Sequence, residues 1–201
     1  HRLMREAESL PSVVISSQAA GNAVMMGGGY FTPLKGFMNV ADAMGTCEKM
    51  RLTDGSFFPV PVMCLLEEVA AIRGASRIAL RDPNMDGHPI LAVMDVETIE
   101  QVSDEQMAFM TEKVYRTSDS EHPGVATFNS QGRFAVSGAI QVLHFSYFQD
   151  DFPDTFRTAV EIRHEIAERG WRRVVGAAAR PCVLGAGSCG CLRRSRTPHR
   201  E

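Results

Sequence analysis

The sequence lacks a long hydrophobic segment. No apolar run in its 201 residues approaches the roughly 20 residues that a membrane-spanning helix needs. We expect the opening residues HRLMREAESL not to be a signal peptide. We therefore expect no contact with a membrane and a cytoplasmic location. With 44% apolar and 22% charged residues, the composition is typical of a globular protein with one large domain or two small ones.

The sequence also lacks a complete phosphate-binding motif. The stretch MMGGGYFTPLKGFM at residues 25–38 places three glycines ahead of Lys35, which raises the alternative of a phosphate-binding loop. Neither GxxxxGK[ST] nor GxGxxG is present there. A helix that ends at glycines 27–29 and cannot resume because of Pro33 is the favoured interpretation.

The last 26 residues contain five arginines but only one acidic residue. Residues 176–201 carry a charge of +4, which leaves −7 for residues 1–175. This tail has no Phe, Tyr or Trp, so we expect it to be disordered. A zinc site is a weak alternative, because the spacing C-x6-C-x-C-x7-H matches no common zinc pattern. Its candidate ligands are Cys182, Cys189, Cys191 and His199. We expect no metal site.

Residues 1–150 predict short strands with a few short helices. Helices are expected at about 17–27, 40–47 and 104–116, each preceded by a capping residue: Ser16 or Ser17, Asn39, and Ser103 with Gln106. Strands are expected within LTDGSFFPVPVMCLL, SRIALRD, HPILAVMDVETIE and RFAVSGAIQVL. This alternation indicates a barrel-like α+β module.

From Pro153 the pattern changes to that of an α/β domain. PDTFRTAVEIRHEIAERGW predicts an amphipathic helix that ends at Gly170. Its apolar stripe consists of Phe156, Val160, Ile162 and Ile166. WRRVV then predicts a strand, after which a ligand site is expected.

The remaining charged residues and histidines show no catalytic spacing. The pairs Glu67-Glu68 and Asp150-Asp151 are expected to be solvated loop charges. The scattered histidines are expected to be structural: His88, His122, His144 and His164.

Eight long, collinear stretches of residues 1–175 resemble the N-terminal part of bacterial ATP sulfurylases (sulfate adenylyltransferases). They are GGYFTPLKGFMNVADAM, LTDGSFFPVPVMCLL, RIALRDPN, HPILAVMDVE, KVYRTSD, HPGVATFNSQG, FSYFQDDFPDTFRTAVEIR and ERGWRRVV. The resemblance implies an α+β fold with a PUA-like β-rich pseudo-barrel domain at 1–152. The truncated start of an α/β nucleotidyltransferase domain follows at 153–175, and an aberrant tail at 176–201.

The resemblance implies substrates that this chain is not expected to turn over alone. Members of the family join ATP (with Mg) and sulfate to give adenosine 5′-phosphosulfate and pyrophosphate, through a motif QTRNPxHRAH. The matching window here is AAARPCVLGAG, in which only Arg180 keeps a motif position, as a sulfate ligand. Leu184 and Gly187 stand where the motif has histidines. We therefore expect no intact catalytic residue, and we expect the C-terminal part of the family's protein to be missing or frameshifted here.

The resemblance also implies partners. We expect a homo-oligomer in the full-length family, no cofactor held by this chain and no nucleic acid. The alternative function is a non-catalytic PUA-like module with a structural or RNA-contacting role, and fold alone does not decide between the two.

Overall fold

A six-stranded mixed sheet and seven α-helices make up residues 2–176, the part of the chain that the computed structural model describes. The helices are α1 (Arg2–Glu8), α2 (Ser17–Gly27), α3 (Val40–Lys49), α4 (Asp104–Tyr115), α5 (Pro123–Asn129), α6 (Phe148–Asp151) and α7 (Ala159–Glu168). The strands are β1 (Ser12–Val14), β2 (Gly36–Phe37), β3 (Cys64–Leu66), β4 (Arg77–Arg81), β5 (Ile90–Gln101) and β6 (Phe134–Val142). A short 3₁₀-helix spans Ala70–Ile72. Every helix in this range is too short or too polar to span a bilayer.

The sheet runs in the order β1-β4-β5-β6-β2, with β3 also paired to β6. β1 is parallel to β4, and the other pairs are antiparallel. β2 and β3 share one edge of β6, because β2 pairs with residues 138–139 and β3 with residues 134–136. β5 occupies the opposite edge of β6. The sheet therefore ends in β1 on one side and in β2 and β3 on the other.

Apolar side chains fill both faces of the sheet. Alternate residues of β3 enter different clusters: Cys64 and Leu66 join the larger core with α2, β4 and β5, whereas Leu65 joins α3, α4 and α5. Ala135 and Val136 of β6 divide in the same way. This alternation is the two-residue period of a strand that is covered on both faces.

Two glycines allow three strands to approach closely at a bulge. The register of β5 on β6 shifts between Val96 and Thr98, opposite Gly138, whose φ is 146°. A Cβ on Gly138 would lie 1.9 Å from the carbonyl oxygen of Asp95, and one on Gly36 would lie 1.8 Å from the carbonyl oxygen of Gly138. Only glycine fits at both positions without a backbone shift.

Helix starts follow the predicted capping residues. The side chains of Ser16 and Asn39 accept hydrogen bonds from the first turns of α2 and α3. Ser103 and Gln106 form both hydrogen bonds of a capping box at α4. The predicted helices at 17–27 and 104–116 are confirmed.

The predicted strands at SRIALRD, HPILAVMDVETIE and RFAVSGAIQVL are confirmed as β4, β5 and β6. The segment LTDGSFFPVPVMCLL contributes only β3, which begins after its two prolines. Pro59 and Pro61 have no N–H to give to a ladder, which explains the late start. The predicted turn at Asp54-Gly55 is present, with Gly55 at φ 86°.

The helix predicted from Pro153 begins six residues later, at Ala159. Thr158 and Glu161 form its N-terminal hydrogen bonds: the Thr158 amide donates to Glu161 Oε2 at 2.6 Å, and the Glu161 amide donates to Thr158 Oγ1 at 3.3 Å. This pair is a T-x-x-E capping box that fixes the start. Phe156 therefore lies before the helix, where it packs on Phe145 with a centroid distance of 5.2 Å.

The chain divides into two compact units, His1–Glu165 and Ile166–Glu201. In the described part of the second unit, Gly170 has φ 62° and ends the helix as predicted. Arg169 lies over the Trp171 ring, 4.9 Å from its centroid. The predicted strand WRRVV is wrong: residues 171–175 form no strand within the described range. Val175 is 91% exposed, and an apolar strand is not stable without a partner.

The expected α+β class agrees with this mixed sheet. Helices contain more residues of 1–152 than strands do, so the expected β-rich character is overstated. The expected beginning of a nucleotidyltransferase domain at 153–175, and the boundaries at 152 and 175, stay predictions.

Candidate functional site

A groove of about 480 Å³ lies between the two ends of the sheet. We call it the seam groove; it is lined by residues 13–18, 65–68, 127 and 130–132. Residues of β1 form one wall and residues of β3 form the other. The sheet thus curls until its two ends face each other without pairing.

Polar side chains of α2 and of the loop before β6 line part of the seam groove. Gln131 Nε2 donates to Gln18 Oε1 at 2.8 Å, and Ser17 Oγ donates to Asn84 Oδ1 at 2.7 Å. Ser16 Oγ accepts from the amide of Ala19 at 3.1 Å and so is committed to capping α2. The Gln18–Gln131 bond holds the N-terminus of α2 against the loop before β6, and the Ser17–Asn84 bond holds it against the loop between β4 and β5.

The charge of the seam groove is acidic. Glu67 and Glu68 are exposed and line it, and no Lys, Arg or His is among the residues that do. The expectation that these carboxylates are solvated is met by their exposure. Asp150 and Asp151 are exposed too, but they belong to α6 rather than to a loop.

A smaller cavity of about 220 Å³ shares Gln18 with the seam groove. It is mostly apolar, with Phe31, Phe128 and Tyr115 among its walls. Burial raises the pKa of Tyr115. Tyr115 therefore stays a neutral phenol at neutral pH and packs against the His122 ring at 5.5 Å.

The glycine run at residues 27–29 ends α2 and does not form a phosphate site. The Tyr30 amide donates to the Met25 carbonyl at 2.9 Å, and the Gly29 amide donates to the Met26 carbonyl at 2.9 Å. Gly29 has φ 78°. This is a Schellman motif. The amides that a phosphate would need are already bonded to the helix, so the predicted helix stop is confirmed.

The two cysteines among the described residues are free thiols. Burial raises the pKa of Cys47 to about 11 and that of Cys64 to about 12. Both are therefore protonated at neutral pH, whereas a nucleophilic cysteine needs its thiolate.

Local structural contacts are seen for His88, His122 and His144. His122 Nδ1 accepts from the Val125 amide at 3.4 Å and caps α5. His144 Nδ1 accepts from the Ser146 amide at 3.0 Å. His88 Nδ1 lies 3.0 Å from the Asp82 carbonyl oxygen. These contacts agree with the expected structural roles.

The expected sulfate ligand, Arg180, lies outside the described residues. The same holds for the four candidate zinc ligands: Cys182, Cys189, Cys191 and His199. Within residues 2–176, no group of three or more His, Cys, Asp and Glu side chains is placed to hold a metal ion. The predicted role of Arg180 stays a prediction.

Comparison with known families identifies the domain. The family model described as a PUA-like domain matches residues 1–145, well over half of the chain. The chain belongs to the PUA-like domain family. The expected recognition of this domain is confirmed, and the match covers all six strands of the sheet and helices α1 to α5.

The PUA-like chain is also similar to enzymes named sulfate adenylyltransferase. The one from Allochromatium vinosum is 73% identical over 175 residues, 87% of this chain and 44% of that protein. The one from the Riftia pachyptila sulfur-oxidizing endosymbiont is 70% identical over 175 residues, 87% of this chain and 40% of that protein. The chain therefore spans less than half the length of these relatives.

A solved structure has a similar fold. The hexameric APS kinase from Thiobacillus denitrificans superposes with a TM-score of 0.59 at 26% identity, over 86% of this chain and 29% of that chain. The similarity covers nearly all of the PUA-like chain and a minority of the larger protein.

Sequence reasoning missed the seam groove. Its walls come from β1 and β3, each of three residues, and short strands leave a weak periodic signal. It also missed α5, although Pro123 at the first helical position was an available signal.

Proposed function

We propose that these residues act as the PUA-like domain of a sulfate adenylyltransferase, the enzyme that joins ATP and sulfate into adenosine 5′-phosphosulfate and pyrophosphate. The observation that carries this proposal is the 73% identity to the Allochromatium vinosum enzyme, sustained over 175 residues. Identity at this level over 175 residues, which include the whole matched domain, favours a common role.

The domain is inactive alone in this proposal. The matched residues make up 44% of the Allochromatium enzyme. The window that aligns with the family motif keeps only Arg180. Loss of a single preorganised donor commonly lowers a rate by about 10²–10³, and here nearly the whole set is replaced. The role left to the PUA-like domain is to support a catalytic domain that it does not itself contain.

The substrates and assembly follow from the same proposal. ATP (with Mg) and sulfate would bind the complete enzyme, and the chain itself holds no cofactor. We also propose a homo-oligomer; the structurally similar APS kinase is hexameric. The free thiols of Cys47 and Cys64 suit a reducing compartment, and we place the protein in the cytoplasm.

The alternative of an RNA-contacting module has less support. Residues 1–175 carry a charge of −7, and RNA binding depends on basic surfaces that displace counterions. A gel-shift measurement with single-stranded and double-stranded RNA at about 150 mM salt tests this alternative. We expect no shift, and a shift would favour the alternative.

A growth experiment tests the main proposal. A bacterial strain without its own sulfate adenylyltransferase needs a reduced sulfur source. We expect growth on sulfate to return when the strain expresses the Allochromatium enzyme with residues 1–175 of this chain in place of the matching segment. We expect no growth on sulfate with the chain of 201 residues alone. Growth with that chain, or failure of a well-expressed exchange, would contradict the proposal.

A further inference from the structure

The seam groove is bounded by two strand edges that have no partner within residues 2–176. β1 pairs only with β4, and β3 pairs only with β6 in this range. Val13 and Val14 line the groove from one side, and Leu65 and Leu66 line it from the other. A free strand edge offers backbone N–H and C=O groups to another strand.

The backbone of β1 is oriented for such pairing. The Ile15 amide donates to the Arg81 carbonyl at 3.2 Å, and the Ala79 amide donates to the Pro11 carbonyl at 2.9 Å. Backbone groups alternate in direction along a strand. The N–H and C=O of Val14 therefore face away from β4, and Val14 is 44% exposed.

The length of the edges limits the ligand. β1 and β3 contain three residues each, which gives about 10 Å of edge at the usual rise of a strand. An extended segment of three to four residues matches this length. A helix is about 10 Å wide with its side chains and would not place its backbone against either edge.

The negative charge of the seam groove favours a basic segment over an acidic one. Glu67 and Glu68 are exposed where β3 ends, and the lining contains no basic side chain to neutralise them. The other polar groups there include the amides of Gln18 and Gln131, which are bonded to each other. A segment with Lys or Arg side chains is complementary to this surface, and an acidic segment is repelled.

We propose that the seam groove binds an extended basic peptide segment that adds a strand to the free edge of β1. The backbone of the segment pairs with Val14, and its basic side chains lie against Glu67 and Glu68. Strand addition to an open sheet edge is an established mode of peptide recognition, in which the backbone supplies affinity and the side chains supply selectivity. This site is independent of the proposed enzymatic role.

Binding to the full chain of 201 residues tests the proposal by fluorescence anisotropy. The probe is a labelled octapeptide, Thr-Arg-Val-Arg-Val-Arg-Thr-Val. One control peptide replaces its arginines with glutamates. A second keeps the arginines but carries N-methyl groups at alternate residues, which removes the N–H donors of one edge. We expect each control to bind at least about tenfold more weakly than the probe.

Variants of the protein locate the site. E67Q/E68Q and Val14→Pro should each weaken binding of the probe about tenfold. Val14→Pro removes the outward N–H but no bond to β4, and Val14→Thr keeps that N–H. Glu97→Gln, an exposed acid outside the groove, is the matched charge control. Both control variants should bind the probe as the unmodified chain does, and circular dichroism checks that every variant is folded.

Three results would overturn the proposal. The first is no binding of the probe, and the second is equal binding of the probe and either control peptide. The third is a fall in the dimer fraction of Val14→Pro, measured by sedimentation without peptide, with probe binding unchanged. That result would assign the groove to a second copy of the chain. If Val14→Pro does not fold, the N-methylated peptide and E67Q/E68Q still decide the question.

Discussion

Replacement of Gly138 by alanine should destabilise the domain far more than the same replacement elsewhere. The new Cβ would lie 1.9 Å from the Asp95 carbonyl oxygen, and Cβ contacts under 3.0 Å essentially never occur. The β5–β6 backbone must therefore open by about 1 Å. Overpacking of this kind costs about 1–3 kcal/mol, and a left-handed φ in a non-glycine residue adds about 1–2 kcal/mol. We expect the free energy of unfolding to fall by about 2–5 kcal/mol.

The matched control is Gly74→Ala. Gly74 also has a positive φ, +80°, but a Cβ there meets nothing within 4 Å. Its expected cost is the conformational part alone, about 1–2 kcal/mol. Urea denaturation followed by circular dichroism measures both variants. With a slope of about 2 kcal/mol/M, the midpoint of Gly138→Ala should lie about 1–2.5 M below that of the unmodified chain. Equal losses in the two variants would refute the close approach of the strands at the bulge.

Three further predictions concern single side chains. Burial raises the pKa of Cys64 from 9.0 to about 12, so the thiol ionises in the unfolded chain before it does in the folded one, and stability is lost as pH rises from 9 to 12. Between pH 8 and pH 10 the free energy of unfolding of the unmodified chain should fall by about 1.4 kcal/mol relative to that of Cys64→Ala. The same pH dependence of urea denaturation in both proteins would disprove this. Glu100 Oε2 accepts a hydrogen bond from the Val40 amide at 3.1 Å at the start of α3, so Glu100→Ala should lower the free energy of unfolding by about 1–2 kcal/mol. Glu97 is exposed, and Glu97→Ala should change the free energy of unfolding by less than about 0.5 kcal/mol. Equal effects of the two substitutions would show that the Glu100 cap is unimportant. Met50 ends α3 in a left-handed conformation with φ 55°. Met50→Gly should relieve this strain and raise the melting temperature by a few degrees. A lower melting temperature would contradict the strain at Met50.

Short sequence patterns predicted most of the helix ends that are fixed by contacts between neighbouring residues. Ser16, Asn39 and Ser103 each precede a helix, and each forms the expected cap. The Thr158–Glu161 capping box was as visible in the sequence as that of Ser103, and its use would have corrected the start of α7. Where both ends of an interaction lie within a few residues, the sequence pattern is sufficient.

Long-range pairing was beyond sequence reasoning. WRRVV has strand propensity, but propensity without a neighbouring strand gives no ladder. β1 is the opposite case: three residues with a weak pattern become a strand because Val13 pairs with Leu80, far away in the chain. The seam groove depends on this pairing and on the curl of the sheet. It was therefore not predictable from local patterns.

The proposed role as the PUA-like domain of a sulfate adenylyltransferase is tested most directly by the rate of sulfate-dependent pyrophosphate release from ATP by a purified chimera. The chimera joins residues 1–175 of this chain to the part of the Allochromatium vinosum enzyme that follows the matched segment. The chain of 201 residues and the parent enzyme are measured beside it. We expect a rate for the chimera within about tenfold of the parent, and no release above the no-enzyme control for the chain alone. A folded chimera without activity, or sulfate-dependent release by the chain alone, would contradict the proposed role.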